Sequence, residues 1–240
     1  MHTTGLIGGL SWYSTAQYYR TINEETQRRL GGHGSAEIAM RSVDFAAVRE
    51  HQLRDDWPAA GRMLAAAGRD CEAAGADVLL ICSNLMHKVA DDVAAAVTVP
   101  VLHIADIVAA EALGRGLTAV GLLATRWVME EPFYRDRLAA AGVRCLTPGA
   151  EDRAMVDRVI FEELTQGTVR EESARAYARV VADLADAGAQ AVVLACTEIE
   201  LLLRQEDCPV PLIDSMALHA LAAVDLALAA TVTSTGPDRP

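Results

Sequence analysis

The sequence predicts an α/β protein of two pseudo-symmetric parallel-sheet α/β domains, with the active site in the cleft between them. Three observations predict it. Apolar runs of strand length alternate with longer amphipathic segments, the pattern of parallel sheets covered by helices. Two of those runs, Gly75–Asn84 and Gly188–Thr197, read as copies: each has a Gly-Ala turn, an apolar strand and a short polar ending. Two further pairs keep the same order. Gly5-Leu6-Ile7-Gly8-Gly9 matches Gly121-Leu122-Leu123-Ala124-Thr125, and Val99-Pro100-Val101-Leu102 matches Val210-Pro211-Leu212-Ile213. The offsets are 116, 113 and 111 residues, so the chain reads as one α/β half used twice.

Each element follows from local signals. A strand at 4–8 runs into the Gly8-Gly9-Leu10-Ser11 turn, before a helix over 14–30. A glycine turn ahead of a helix offers backbone N–H groups to an anion. A strand near 38–43 ends at Asp44, and a short helix over 45–53 carries Gln52. Asp55-Asp56-Trp57-Pro58 is a helix start, with acidic caps and a first-turn proline, and Gly75 ends that helix. The first half then reads strand 77–82, helix 86–97, strand 100–104 and helix 106–114. Beyond the Gly114 and Gly116 break come strand 118–123, helix 129–141, strand 143–146 and helices 151–166 and 171–187. Strand 190–195, a short helix at 198–203, strand 210–213 and a last helix over 216–230 complete the second half. The expected domains are 1–114, completed by helix 215–230, and 115–214; 231–240 reads as a disordered tail.

Composition narrows the function. The chain has 240 residues, is 52% hydrophobic and carries a net charge of -12. An acidic chain without a basic stripe does not suit nucleic acid. The N-terminus shows no basic segment leading into a long apolar stretch, and no run reaches the length of a membrane span. The expectation is a cytoplasmic protein with a small-molecule substrate and no membrane partner. Five cysteines, Cys71, Cys82, Cys145, Cys196 and Cys208, show neither CxxC pairing nor ligand spacing with histidine, so no metal is expected. Lys88 is the only lysine, and no phosphate cradle accompanies it, so pyridoxal phosphate is not expected either.

The repeat locates the chemistry. Ligands of open parallel sheets bind beyond the carboxyl ends of the strands. With the glycines aligned, Ser83 falls on Cys196 and Asn84 on Thr197, one pair at each strand end. Removing a proton from an α-carbon and returning it to the opposite face takes two such groups. Thr197-Glu198-Ile199 reads as a helix start, which would lower the Cys196 thiol pKa toward a usable thiolate. By strand alternation Cys82 points away from the face Ser83 uses. His87 reads as a support for the following helix, and His219 as core or as backing for the site.

Gly8-Gly9-Leu10-Ser11-Trp12 with Ser14-Thr15 and Tyr18-Tyr19, then Ser83-Asn84-Leu85-Met86-His87, then Cys196-Thr197-Glu198, resemble the aspartate/glutamate racemase family over residues 4–230. The resemblance implies a cofactor-independent amino-acid racemase or epimerase working by two-base α-proton transfer, and a homodimer. It implies acid/base roles for Ser83 and Cys196. It implies substrate contacts for Leu10, Gln52, Asn84, Leu85, Thr125, Thr197 and Glu198. Four positions depart from the family pattern: Ser83 stands where cysteine is usual, Leu85 and Val128 where threonine is, and Tyr13 where close relatives carry glutamate. Serine is a poor base without an activating neighbour. Leu85 and Val128 suggest a substrate more apolar than aspartate or glutamate. Two other readings stay open: a one-cysteine decarboxylase or cis-trans isomerase of the same superfamily, and a non-catalytic small-molecule binding protein.

Overall fold

The computed structural model describes residues 1–232. It contains two four-stranded sheets in which every strand pair is parallel. The described chain divides into two compact units: Met1–His103 together with 217–232, and Ile104–Met216.

In the first unit the sheet order is β2-β1-β3-β4, from β1 (Thr4–Gly8), β2 (Ile38–Ser42), β3 (Val78–Ile81) and β4 (Val101–Leu102). Helices α1 (Trp12–Leu30), α2 (Phe45–Leu53), α3 (Trp57–Ala73) and α4 (Ala90–Ala94) follow the strands. The last helix, α10 (Ser215–Val232), contributes nearly all its length to this unit. The starts of α2 and α3 obey their acidic caps: Asp44 accepts from the Ala46 N–H and Asp56 from the Ala59 N–H. β1 and β3 are buried along their whole length, as both-faces-covered strands must be. Leu64, Ala67 and Cys71 of α3 pack with Ile7, Leu79 and Ile81.

The second unit repeats the plan. Its order is β6-β5-β7-β8, from β5 (Ala119–Leu123), β6 (Arg144–Leu146), β7 (Val192–Leu194) and β8 (Leu212–Asp214). Its helices are α5 (Ile104–Gly114), α6 (Arg126–Glu130), α7 (Pro132–Ala140), α8 (Ala150–Glu162) and α9 (Glu171–Asp186). The repeat extends to register. Gly5 pairs with Leu79 and Leu79 with Val101 in one sheet; Gly121 pairs with Val192 and Val192 with Leu212 in the other. These are the same residues that the sequence repeat aligns.

Four expected helices differ. The 86–97 helix is a tight 3-10 turn, Leu85–Val89, followed by α4, with Val89 off helical geometry at φ -110, ψ 20. The 129–141 helix is two, because Glu131 precedes Pro132 and is held extended at φ -82, ψ 153. The 151–166 helix ends at Glu162: Glu163 leaves helical geometry and its carboxylate accepts from Ser173 Oγ at 2.7 Å. The 198–203 helix is only a 3-10 turn, Ile199–Leu201. α10 continues through Val232, and the remainder of the 231–240 segment lies outside the described residues.

Behind β3 and β4 the first unit buries three histidines. His219 of α10 is fully buried, and its ring lies 5.3 Å from that of His87, which lies 4.7 Å from His103. His219 Nε2 is 3.0 Å from the Leu102 carbonyl oxygen, which only accepts, so Nε2 carries the proton. Nδ1 then accepts from the Tyr18 hydroxyl at 2.8 Å. Burial, and secondarily His87, holds the His219 pKa well below the ordinary histidine value. Above about pH 6.5 both folded and unfolded chains keep this ring neutral. Below it the unfolded chain takes up a proton that the folded chain refuses. Folding stability should therefore fall by about 1.4 kcal/mol per pH unit as pH drops from about 6.5 toward the folded value. Urea unfolding at pH 7 and pH 5.5 should show this loss, and His219→Gln should shrink it; an unchanged pH dependence in the variant would remove His219 as its source.

Candidate active site

Both sheets reverse direction of winding beside their first strand, between β1 and β3 and between β5 and β7. Crevices beyond the carboxyl ends at such points are where open parallel sheets bind ligands. The candidate residues gather there, unit by unit.

In the first unit Ile7 pairs with Ile81, and the Cys82 N–H continues the ladder to the Ile7 carbonyl at 3.0 Å. Ser83 is the second residue past that pair. Its N–H turns back to the Ile81 carbonyl at 2.8 Å, and its Oγ accepts weakly from the Met86 N–H at 3.4 Å. His87 Nδ1 donates to the Ser83 carbonyl at 2.7 Å. That bond commits Nδ1 to the backbone, so His87 ties back the turn before it. Asn84 and Leu85 are buried in the same turn. Gln52 reaches it from α2, its Nε2 lying 3.1 Å from Met86 Sδ. Leu10, buried, follows β1 in the neighbouring turn.

That turn is locked by glycine. Gly9 sits at φ 80, and a Cβ there would meet the Val43 carbonyl oxygen at 2.1 Å. The Gly9 N–H is spent on Thr15 Oγ1 at 2.9 Å, so this donor is not available to an anion as the sequence suggested. Ser14 Oγ ties α1 to the Cys82 carbonyl at 3.3 Å. Cys82 itself is fully buried, and desolvation first, Cys71 second, pushes its thiol far up. It is a core residue.

In the second unit Leu123 pairs with Leu194, and the Ala195 N–H bonds the Leu123 carbonyl at 2.8 Å. Cys196 is again the second residue past the pair. Its Sγ donates to Glu198 Oε2 at 3.1 Å, and Thr197 Oγ1 donates to the same oxygen at 2.8 Å. Thr125 caps α6, and its Oγ1 is buried without a hydrogen-bond partner among the described residues. Val128 of α6 is fully buried. Arg126 is exposed, with its Nε 3.9 Å from Glu130.

The electrostatics of Cys196 reverse the sequence expectation. A three-residue 3-10 turn supplies little dipole. Desolvation first, then the Glu198 carboxylate, raises the thiol pKa well above its ordinary value. Sequence reasoning also missed Glu200. This residue is exposed by area yet crowded by protein, and desolvation first, then the Asp214 carboxyl, holds its own carboxyl above the usual range. Nothing in the sequence marks the two as neighbours, because Asp214 arrives from β8. Among the described residues no three His, Cys, Asp or Glu side chains gather as a metal site would. No helix among them is long and apolar enough to cross a membrane. Lys88 Nζ lies 3.8 Å over the Trp57 ring.

A family model described as Asp/Glu/Hydantoin racemase matches residues 7–223. The solved structure of a candidate Asp/Glu racemase from Yersinia pestis is 46% identical, with a TM-score of 0.92 over 95% of this chain and 100% of that one. An aspartate racemase homologue from Pyrococcus horikoshii OT3 is 32% identical, with a TM-score of 0.84 over 95% of this chain and 99% of that one. An uncharacterized protein of Pectobacterium carotovorum subsp. carotovorum is 36% identical over 92 residues, 37% of this chain; the match spans 58% of that curated relative.

The Gly8–Ser11 turn gives a direct test of the site's framework. Gly9→Ala places a Cβ in the left-handed region and against backbone atoms. It should cost about 2 kcal/mol or more, read as a lower urea midpoint. A midpoint within error of the wild type would mean that this turn is not held as described.

Proposed function

Because the chain belongs to the Asp/Glu/hydantoin racemase family, we propose that it is a cofactor-independent amino-acid racemase or epimerase that moves the α-proton between two protein groups. The observation that carries this reading is the equivalence of Ser83 and Cys196. Each is the second residue beyond the last paired residue of its central strand, at the carboxyl end where the sheet reverses.

The proposed roles follow from chemistry. As a thiolate, Cys196 takes the α-proton; the Cα–H bond breaks, an S–H bond forms, and the electron pair spreads into the substrate carboxylate. A proton then returns to the opposite face from the Ser83 side, from the hydroxyl or through water. The reaction asks both groups of one α-carbon. Asn84, Thr125 and Thr197 are the proposed donors to the substrate's carboxylate, and Glu198 receives its ammonium. Leu10, Gln52 and Leu85 line the substrate's path on the first unit. Leu85 and Val128 favour a side chain less polar than that of aspartate or glutamate. The Trp57 contact of Lys88 suits a surface cation better than a Schiff-base nucleophile. The family likeness carries a homodimer as well, to be tested by light scattering.

A second reading has one observation in its favour. Both Ser83 and the resting Cys196 thiol are proton donors. That suits one-sided protonation, as in a decarboxylase, better than it suits proton abstraction.

A panel of L- and D-amino acids in D2O, followed by NMR, separates the two. Exchange of the α-proton should occur for at least one amino acid, and Cys196→Ala should slow it by about 10²–10⁴-fold. Ser83→Cys should raise racemisation by restoring the usual pair. Exchange that survives Cys196→Ala at the wild-type rate removes Cys196 from the mechanism. No exchange anywhere, with release of CO2 from a disubstituted malonate, establishes the second reading. Activity should persist with a chelator; loss that one metal restores would contradict cofactor independence.

A further inference from the structure

We propose that Glu198 is a positioning residue that holds Cys196 in its thiol form until a substrate ammonium pairs with the Glu198 carboxylate, so that binding the amine releases the thiolate. The proposal rests on the racemase reading above and adds how its sulfur is switched on.

The geometry is local and lies within the second unit. Cys196 Sγ is 3.1 Å from Glu198 Oε2, the oxygen that also accepts from Thr197 Oγ1. A thiol donating to a carboxylate is stabilised as a thiol. Ionising it would set two anions about 3 Å apart in a partly buried site, where solvent screens them poorly. Glu198 is itself buried, which strengthens the effect. The chain between Ile104 and Met216 contains no histidine and no lysine, so this unit has no imidazole or ammonium to assist its cysteine. Among the groups that bear on the pair are the Tyr177 phenol of α9, the Glu200 carboxyl and, beside it, Asp214 of β8, while the backbone N–H groups of Glu198 and Ile199 act the other way and favour the thiolate. Arg158 of α8 bears on Tyr177, whereas the charge acting on the thiol is that of Glu198.

The step balances without an oxidant or a cofactor. The substrate ammonium donates an N–H to the Glu198 carboxylate, and the negative charge beside the sulfur is neutralised by one unit. The Cys196 S–H bond then breaks, its electron pair stays on sulfur, and the proton passes to solvent water at the partly open thiol. A free enzyme therefore rests with an unreactive sulfur, protected from alkylation and oxidation, and only a ligand bearing an amine arms it. A 2-hydroxy acid of the same shape would dock without doing so.

Titration of the thiol tests this without any assay of activity. Thiolate absorbance in the ultraviolet, taken as the difference between the protein and Cys196→Ala, reports Cys196 alone. Glu198→Gln should lower the thiol pKa by one unit or more, and alkylation by iodoacetamide at neutral pH should then be about tenfold faster or more. Glu198→Asp should stay near the wild-type titration. Thr197→Val strips a donor from the shared oxygen, leaves that oxygen more basic, and should move the thiol pKa the other way. A Glu198→Gln titration that is unchanged or raised overturns the proposal whatever the racemisation assay gives. Should no amino acid exchange in D2O, the racemase reading falls and the ammonium switch with it, while the brake on the thiol stands or falls on the variants. For the amino acid that does exchange, adding it should raise thiolate absorbance at neutral pH, and its 2-hydroxy analogue should not. An equal rise with both overturns the ammonium switch.

Discussion

The pairing of β1 with β3, and of β5 with β7, is the constraint on which the rest of the site depends. Parallel pairing fixes which residues leave the sheet side by side. Ile7 beside Ile81 sends Gly8 and Cys82 out together, and Leu123 beside Leu194 does the same for Ala124 and Ala195. A slip of one residue in β3 would exchange the faces used by Cys82 and Ser83, placing a deeply buried thiol where the hydroxyl belongs. The buried, both-faces-covered strands make such a slip costly, and this is how an apolar core fixes the position of a polar atom several residues away.

The two strand ends then diverge in chemistry. Ser83 begins a tight turn whose backbone is tied by His87, and its hydroxyl oxygen accepts weakly from the Met86 N–H. Cys196 begins a turn that brings a carboxylate onto its sulfur. The same backbone plan therefore supports a weakly acidic hydroxyl on one unit and a restrained thiol on the other.

The fold was legible because its signals are local and repeated. Asp44 and Asp56 announced their helices, and the three aligned strand pairs carried the topology. Helix continuity was less legible where one residue decides it: Glu131 before Pro132 splits a helix that composition reads as whole. Ser83 and Cys196 could be paired from the repeat alone. Their environments could not. The fate of the Gly9 N–H depends on Thr15 folding back over it, and the rise in the Cys196 pKa depends on how much solvent the folded unit removes. Glu200 meets Asp214 only through the parallel placement of β7 and β8. The His87, His103 and His219 rings come from three separate stretches of chain that only the first unit's packing unites.

The return of the chain to its first unit has a consequence for how the protein is made. The second unit is continuous and holds all its residues once Met216 has been added. The first unit is not. His219 bonds Tyr18, Arg29 pairs with Asp225 at 2.5 Å, and the His2 N–H bonds the Ala227 carbonyl at 3.0 Å. Those contacts close loops of roughly two hundred residues, which is slow and entropically costly. During synthesis the N-terminal sheet leaves the ribosome first and yet lacks these contacts until α10 follows it. The Ser83 turn, tied to His87 and through its ring to His219, gains this backing only after α10 has been made.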